Sequence, residues 1–144
     1  MNLAPHILAH GNWISMEEFM ELALYDPDSG YYNTNIADIG FRGDFSTTAT
    51  MSDLLARRLV QQWQQSCRAF NRRLPIIEIG GGNGDMAVSM ARSLGFFNRL
   101  RVRYYMVDRS KALRDLQLMV GGNFVRVYDT IEKAVSYTHL TLPT

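Results

Sequence analysis

Seven consecutive residues, Glu78-Ile79-Gly80-Gly81-Gly82-Asn83-Gly84, carry the most readable chemistry in the chain. The β-branched run Ile76-Ile77-Glu78-Ile79 leads into the glycines, and a helical pattern follows from Asp85. Glycines between a strand and a helix remove Cβ atoms, so a ligand can approach the backbone closely. The helix start then offers free N–H groups to an anionic part of that ligand. Two cofactor classes use such a turn. The dinucleotide fingerprint G-x-G-x-x-G, started at Gly80, needs glycine or alanine where Asp85 stands. The register Gly82-Asn83-Gly84-Asp85-Met86-Ala87 satisfies the pattern formally, with its first glycine displaced from the strand end. The second pattern, an acid followed by alternating glycines, E-x-G-x-G-x-G, is met at every position. Asp108 closes the next predicted strand, where an acid can accept both ribose hydroxyls of an adenosyl group. It also flanks the following helix start, where a carboxylate is favourable without a ligand.

The elements that must position these residues follow from periodicity and capping. Ile76–Ile79 predicts one strand, 102–107 a second and 124–128 a third. Helices are expected over 85–94, with Gly95 as the stop, and from a Ser110 cap through 120, closed by Gly121-Gly122. Strand–helix–strand–helix–strand at this spacing means parallel strands with crossover helices, an α/β half-sheet. Upstream, Ser15-Met16-Glu17-Glu18 is a capping box for a helix over 16–24, with Phe19, Met20, Ala23 and Leu24 on one face. Asp26-Pro27-Asp28-Ser29-Gly30 ends it as a turn, and residues 33–50 read as a loop region. A second helix is expected over 52–70, with Leu55, Leu59, Trp63 and Phe70 as its core stripe. Trp63 and Met106 are read as core, and Tyr31 and Tyr32 as packing residues, with stacking on a ligand as the alternative.

Composition narrows the class. With 47% hydrophobic and 20% charged residues, 144 residues suit one globular domain. No stretch approaches the roughly 20 apolar residues of a membrane helix, and the start shows no secretory signal pattern. The single cysteine, Cys67, excludes an internal disulfide framework. With the missing signal, that points to a reducing, cytoplasmic setting. His6 and His10 lack a third ligand, so no metal site is expected. Residues 1–53 sum to a net charge of −7 and residues 54–144 to +8. The arginines are scattered, so they read as solvated faces rather than a nucleic-acid surface.

The Glu78–Gly84 run resembles the first motif of class I S-adenosylmethionine-dependent methyltransferases. Two upstream segments narrow the resemblance: 19–32, Phe-Met-Glu-Leu-Ala-Leu-Tyr-Asp-Pro-Asp-Ser-Gly-Tyr-Tyr, and 39–47, Ile-Gly-Phe-Arg-Gly-Asp-Phe-Ser-Thr. Together they are similar to the opening of the MidA-like methyltransferase family, over about residues 14–134. The resemblance implies a Rossmann-like class I methyltransferase fold, reached here through about three parallel strands, with a helical N-terminal extension. Residues 1–73 would be that extension and 74–134 the first half of the cofactor domain. It implies S-adenosyl-L-methionine as cofactor, with Gly80, Gly82 and Gly84 at its methionine end and Asp108 on the ribose. Glu78 would orient the loop or the methionine amino group, and the loop holding Asp44 and Thr47 would close over the site. It also implies a protein substrate, with arginine methylation linked to respiratory complex I assembly in mitochondrial members. Two alternatives stand beside it: a nicotinamide or flavin oxidoreductase, and a non-catalytic assembly module on the same fold.

Residues 135–144, Val-Ser-Tyr-Thr-His-Leu-Thr-Leu-Pro-Thr, depart from the family pattern and read as a translated sequencing-library adapter. They are expected to be a non-native tail. A sheet stopping after its third strand would leave Ile76–Ile79 as an exposed apolar edge, so the chain by itself is expected to fold poorly and not to be active.

Overall fold

The computed structural model describes residues 4–9, 11–34 and 53–139. Asp44 and Thr47, with the loop that carries them and His10, lie outside the described residues. Three four-residue strands form the sheet: β1 (Ile76–Ile79), β2 (Tyr104–Val107) and β3 (Val125–Tyr128). The order is β1-β2-β3 and all pairings are parallel, with Ile76 opposite Tyr104 and Tyr104 opposite Val125. This is the expected half-sheet. The second and third strands start later than their apolar runs suggested, because Val102 is the cap residue of a preceding helix and Gly122–Phe124 forms a 3-10 turn.

Among the described residues, four helices precede β1: α1 (Ala4–Ala9), α2 (Met16–Tyr25), α3 (Tyr31–Thr34) and α4 (Asp53–Ala69). The capping box that opens α2 is formed as expected. The Glu18 amide donates to Ser15 Oγ at 3.1 Å, and the Ser15 amide donates back to Glu18 Oε2 at 2.9 Å. The face of α4 differs from the expected stripe. Ala56 and Val60 are its buried residues, while Leu59 and Phe70 are exposed. Small side chains let α4 approach the sheet layer, and Trp63 completes the contact by donating its indole N–H to the Leu74 carbonyl at 2.9 Å.

After β1 come α5 (Asp85–Ser93), α6 (Phe96–Arg101), α7 (Lys111–Gly121) and α8 (Ile131–His139). Helix α5 stops just before Gly95, as expected. Leu94 caps α5, and Gly95 is the residue from which α6 starts. Helix α8 enters the segment read as a tail, running from Ile131 to His139 with Ala134 fully buried. The main core joins α4, α5 and the sheet through Val60, Ala87, Met90, Tyr104, Met106 and Val125. A smaller cluster, Tyr105, Val107 and Ala134, covers the opposite face under α8. Helices on both faces therefore bury β2 completely, as a parallel sheet requires.

Candidate cofactor site

The carboxyl ends of β1 and β2 lie side by side, with Ile79 opposite Val107 in register. The glycine turn leaves the first strand at that level and Asp108 leaves the second. Ligands of open α/β sheets bind at this end. Gly80, Gly82 and Gly84 adopt φ of +68°, +53° and +86°. These left-handed conformations strain any residue with a Cβ, so the alternating glycines have a backbone cause. A Cβ added at Gly80 would meet nothing within 4 Å. That glycine therefore leaves free room beside the backbone, as a cradle for a ligand requires. A Cβ at Gly84 would lie 2.8 Å from Val120 Cγ2, so this glycine also admits α7. Gly81, an unspecified position in the motif, is constrained by packing. A Cβ there would lie 2.5 Å from Met106 Cε and 2.9 Å from Glu78 Cδ.

Glu78 shares a strand face with Ile76 and lines a cleft of about 520 Å³ with Trp63, Met86, Met90 and Tyr104. The Tyr104 hydroxyl donates to Glu78 Oε2 at 3.0 Å. Burial among apolar side chains pushes the carboxyl up to about 7, partly offset by that hydrogen bond, with nearby Asp108 pushing the same way. The carboxyl lies against the glycine turn at Gly81.

Asp108 is 7% exposed. Oδ1 accepts from the Ser110 amide at 3.0 Å, and Oδ2 accepts from Gln117 Nε2 at 3.1 Å. Burial raises its carboxyl above the ordinary range, while these two donors and Arg114 act against the rise. A carboxylate has about four acceptor positions, so two hydrogen bonds leave capacity for further donors. The expected place of Asp108 at the start of the next helix is met. One oxygen faces the turn into α7, and the group as a whole closes the strand.

Contacts that sequence reasoning missed tie this end together. Gln117 also donates to the Gly82 carbonyl at 2.9 Å, linking the loop to Asp108. Ser110 Oγ caps α7 by accepting from the Leu113 amide, and it reaches the Tyr32 carbonyl at 2.6 Å and Asn33 Oδ1 at 3.0 Å. Asn33 in turn donates to the carbonyls of Tyr25 and Asp26. Arg109 pairs with Glu21 and lies 4.6 Å from the centre of the Tyr25 ring. The α2–α3 hairpin is thus docked on the Asp108-Arg109-Ser110 turn. Tyr31 and Tyr32 serve this packing, half-buried and in edge contact at 5.4 Å.

Comparison with known proteins bears on this end of the sheet. Residues 54–122, which span the glycine loop, Asp108 and Gln117, match the family described as "Putative S-adenosyl-L-methionine-dependent methyltransferase". Two curated relatives carry the name protein arginine methyltransferase NDUFAF7, mitochondrial. The one from Danio rerio is 28% identical over 137 residues, covering 89% of this chain and 32% of that protein. The one from Xenopus tropicalis is 27% identical over 112 residues, covering 72% of this chain and 25% of that protein. Among solved structures, a Burkholderia thailandensis protein bound to S-adenosyl-homocysteine aligns with a TM-score of 0.72 and 30% identity. That alignment covers 89% of this chain and 36% of the other. A native structure from the same organism aligns at a TM-score of 0.64 and 29% identity, covering 90% of this chain and 34% of the other. The chain thus spans between a quarter and about a third of the length of its relatives. In its acid with alternating glycines, its parallel Rossmann-like sheet and these likenesses, the chain is similar to methyltransferases of the MidA-like family.

Proposed function

We propose that this chain carries the cofactor-binding part of an S-adenosylmethionine-dependent methyltransferase that acts on arginine side chains of a protein. The observation that carries the reading is the pairing of two adjacent strand ends: the left-handed glycine turn after β1 and Asp108 after β2. The open space at Gly80 and the spare acceptor capacity of Asp108 fit a ligand with one end against backbone and a diol at the other. When bound, S-adenosylmethionine supplies an electrophilic methyl group.

The chain's own residues would do the positioning. Gly80, Gly82 and Gly84 let the backbone come close to the methionine end. Asp108, ionised, accepts the ribose hydroxyls. Glu78 supports the loop from beneath and, once a cation lies nearby, favours its charged form and can accept from an amino group. In-line transfer depends mainly on such orientation. An arginine acceptor must also lose a proton during transfer, because its ordinary pKa is above 12.

The arginine reading is supported by the names of the curated relatives. The link to respiratory complex I rests on the family resemblance, and the proposed cytoplasmic setting on the single Cys67. The full-length protein that carries this chain, incubated with methyl-labelled S-adenosylmethionine and a protein extract, is expected to give labelled methylarginine after hydrolysis. Label on another residue would overturn the arginine acceptor, and no transfer would leave cofactor binding alone.

A further inference from the structure

Gln117 sits on α7 at 0% exposure, facing the sheet's carboxyl end. Both of its N–H donors are used, one on the Gly82 carbonyl and one on Asp108 Oδ2. Those two acceptors fix which way the amide points, since an oxygen turned toward them would face only acceptors. Its Oε1 is then buried without a hydrogen-bond partner among the described residues. A buried acceptor left unpaired costs stability, and an apolar side chain of similar volume would avoid that cost. The position is therefore poorly explained by packing alone. Cα and Cγ of Gln117 also lie 3.8 Å from where a Cβ of Gly84 would be, so the residue sits beside the loop at a second point.

We propose that Gln117 is a positioning residue for the adenosyl part of the cofactor, clamping the glycine loop and the Asp108 carboxylate at one fixed separation. This rests on the cofactor reading above. One amide holds both ends of the site: the loop carbonyl that sets the turn and the acid that takes the ribose. Its donation also favours the ionised form of Asp108, the form that accepts two hydroxyls. The other groups around Asp108 are the Ser110 amide and Arg114 on the α7 side, Glu78 on β1, Arg109 in the turn and Tyr25 on α2. None of them bridges to the loop in the described residues.

The test is calorimetric titration of the full-length protein with S-adenosylhomocysteine across pH, for the wild type, Gln117→Met and Gln117→Glu. Gln117→Met keeps the volume and removes the donors. Its affinity is expected to fall about tenfold, as for loss of a hydrogen bond to a charged group. The acid limb of its binding curve should move to higher pH, because Asp108 protonates more readily without the donor. Gln117→Glu should lose more at neutral pH and regain part of the difference as the medium is acidified. A drop in affinity that is equal at every pH would mean a purely structural role and would overturn the proposal. A ligand-free readout separates this from the cofactor reading. The Asp108 carboxyl, followed by NMR, should titrate at higher pH in Gln117→Met than in the wild type. An unchanged Asp108 titration overturns the clamp even in a chain that binds cofactor. A raised titration in a chain that binds no S-adenosylhomocysteine supports the clamp while removing its proposed purpose.

Discussion

Glu78 shows what burying one ionisable side chain costs the fold. Its carboxyl rises from an ordinary 4.5 to about 7, chiefly because it is buried. Between those values the folded chain holds a proton that the unfolded chain has released. Stability from this group is therefore full below about pH 4.5, falls as pH rises, and is lowest above pH 7, a penalty of about 3 kcal/mol. Glu78→Gln removes the titration. It is expected to raise stability at pH 8 by about 1–3 kcal/mol and to leave pH 4 nearly unchanged, as read by urea unfolding at both pH values. Equal shifts at both would contradict the assignment. Glu78, Gly80, Gly82, Gly84 and Asp108 were legible in the sequence because their signals are local: a strand end, a turn, an acid at fixed spacing. Gln117 was not, nor were the long-range contacts of Ser110, which the sequence marks only as a helix cap. Their partners lie 35 and 78 residues away in the chain, at Gly82 and Tyr32, and only the packed fold brings them together.

Among the elements, the glycine turn joins backbone strain to ligand access, and its members should respond differently to substitution. Gly80→Ala faces open space, so only its φ is strained, at roughly 1–2 kcal/mol. Gly84→Ala adds a collision with Val120 to similar strain, for a total of about 2–4 kcal/mol. Thermal unfolding of both variants is expected to rank Gly84→Ala as the less stable. Cofactor binding by Gly80→Ala should be lost out of proportion to its stability, since the new methyl group occupies the approach to the backbone. The strands and longer helices followed from apolar runs and capping residues. The shorter helices escaped because their sequences lack such marks. In α6, Phe96 and Phe97 are both exposed and Gly95 offers no side-chain cap, so neither periodicity nor capping announces it. In α4, Leu and Phe suggested the buried stripe while alanine and valine formed it, because closeness of approach outweighed side-chain size there.

Across the whole molecule, two features set behaviour. The first is the docking of the α2–α3 hairpin on the turn after β2. The Arg109–Glu21 pair is solvent-exposed and contributes little. The buried Ser110 hydroxyl is the stronger link. Ser110→Ala removes a helix cap as well as the contacts to Tyr32 and Asn33, and should cost about 1–2 kcal/mol. Limited proteolysis should then cut sooner within residues 11–34. The second feature is the outer edge of β1, which pairs on one side only among the described residues, with Ile79 67% exposed. An apolar strand edge is a template for association. The 144-residue chain by itself is expected to self-associate, and Ile79→Lys to reduce that association in light scattering. A soluble monomer with a sharp two-state melt would contradict the expectation.

The central claim is that the loop after β1 and Asp108 after β2 form one S-adenosylmethionine site. The most direct measurement is calorimetric titration of the full-length protein with S-adenosylhomocysteine, alongside Asp108→Ala and with NAD as the competing ligand. The account predicts saturable binding by the wild type, at least about tenfold weaker binding by Asp108→Ala, and none of NAD. Binding of NAD without S-adenosylhomocysteine, or S-adenosylhomocysteine binding indifferent to Asp108, would contradict it.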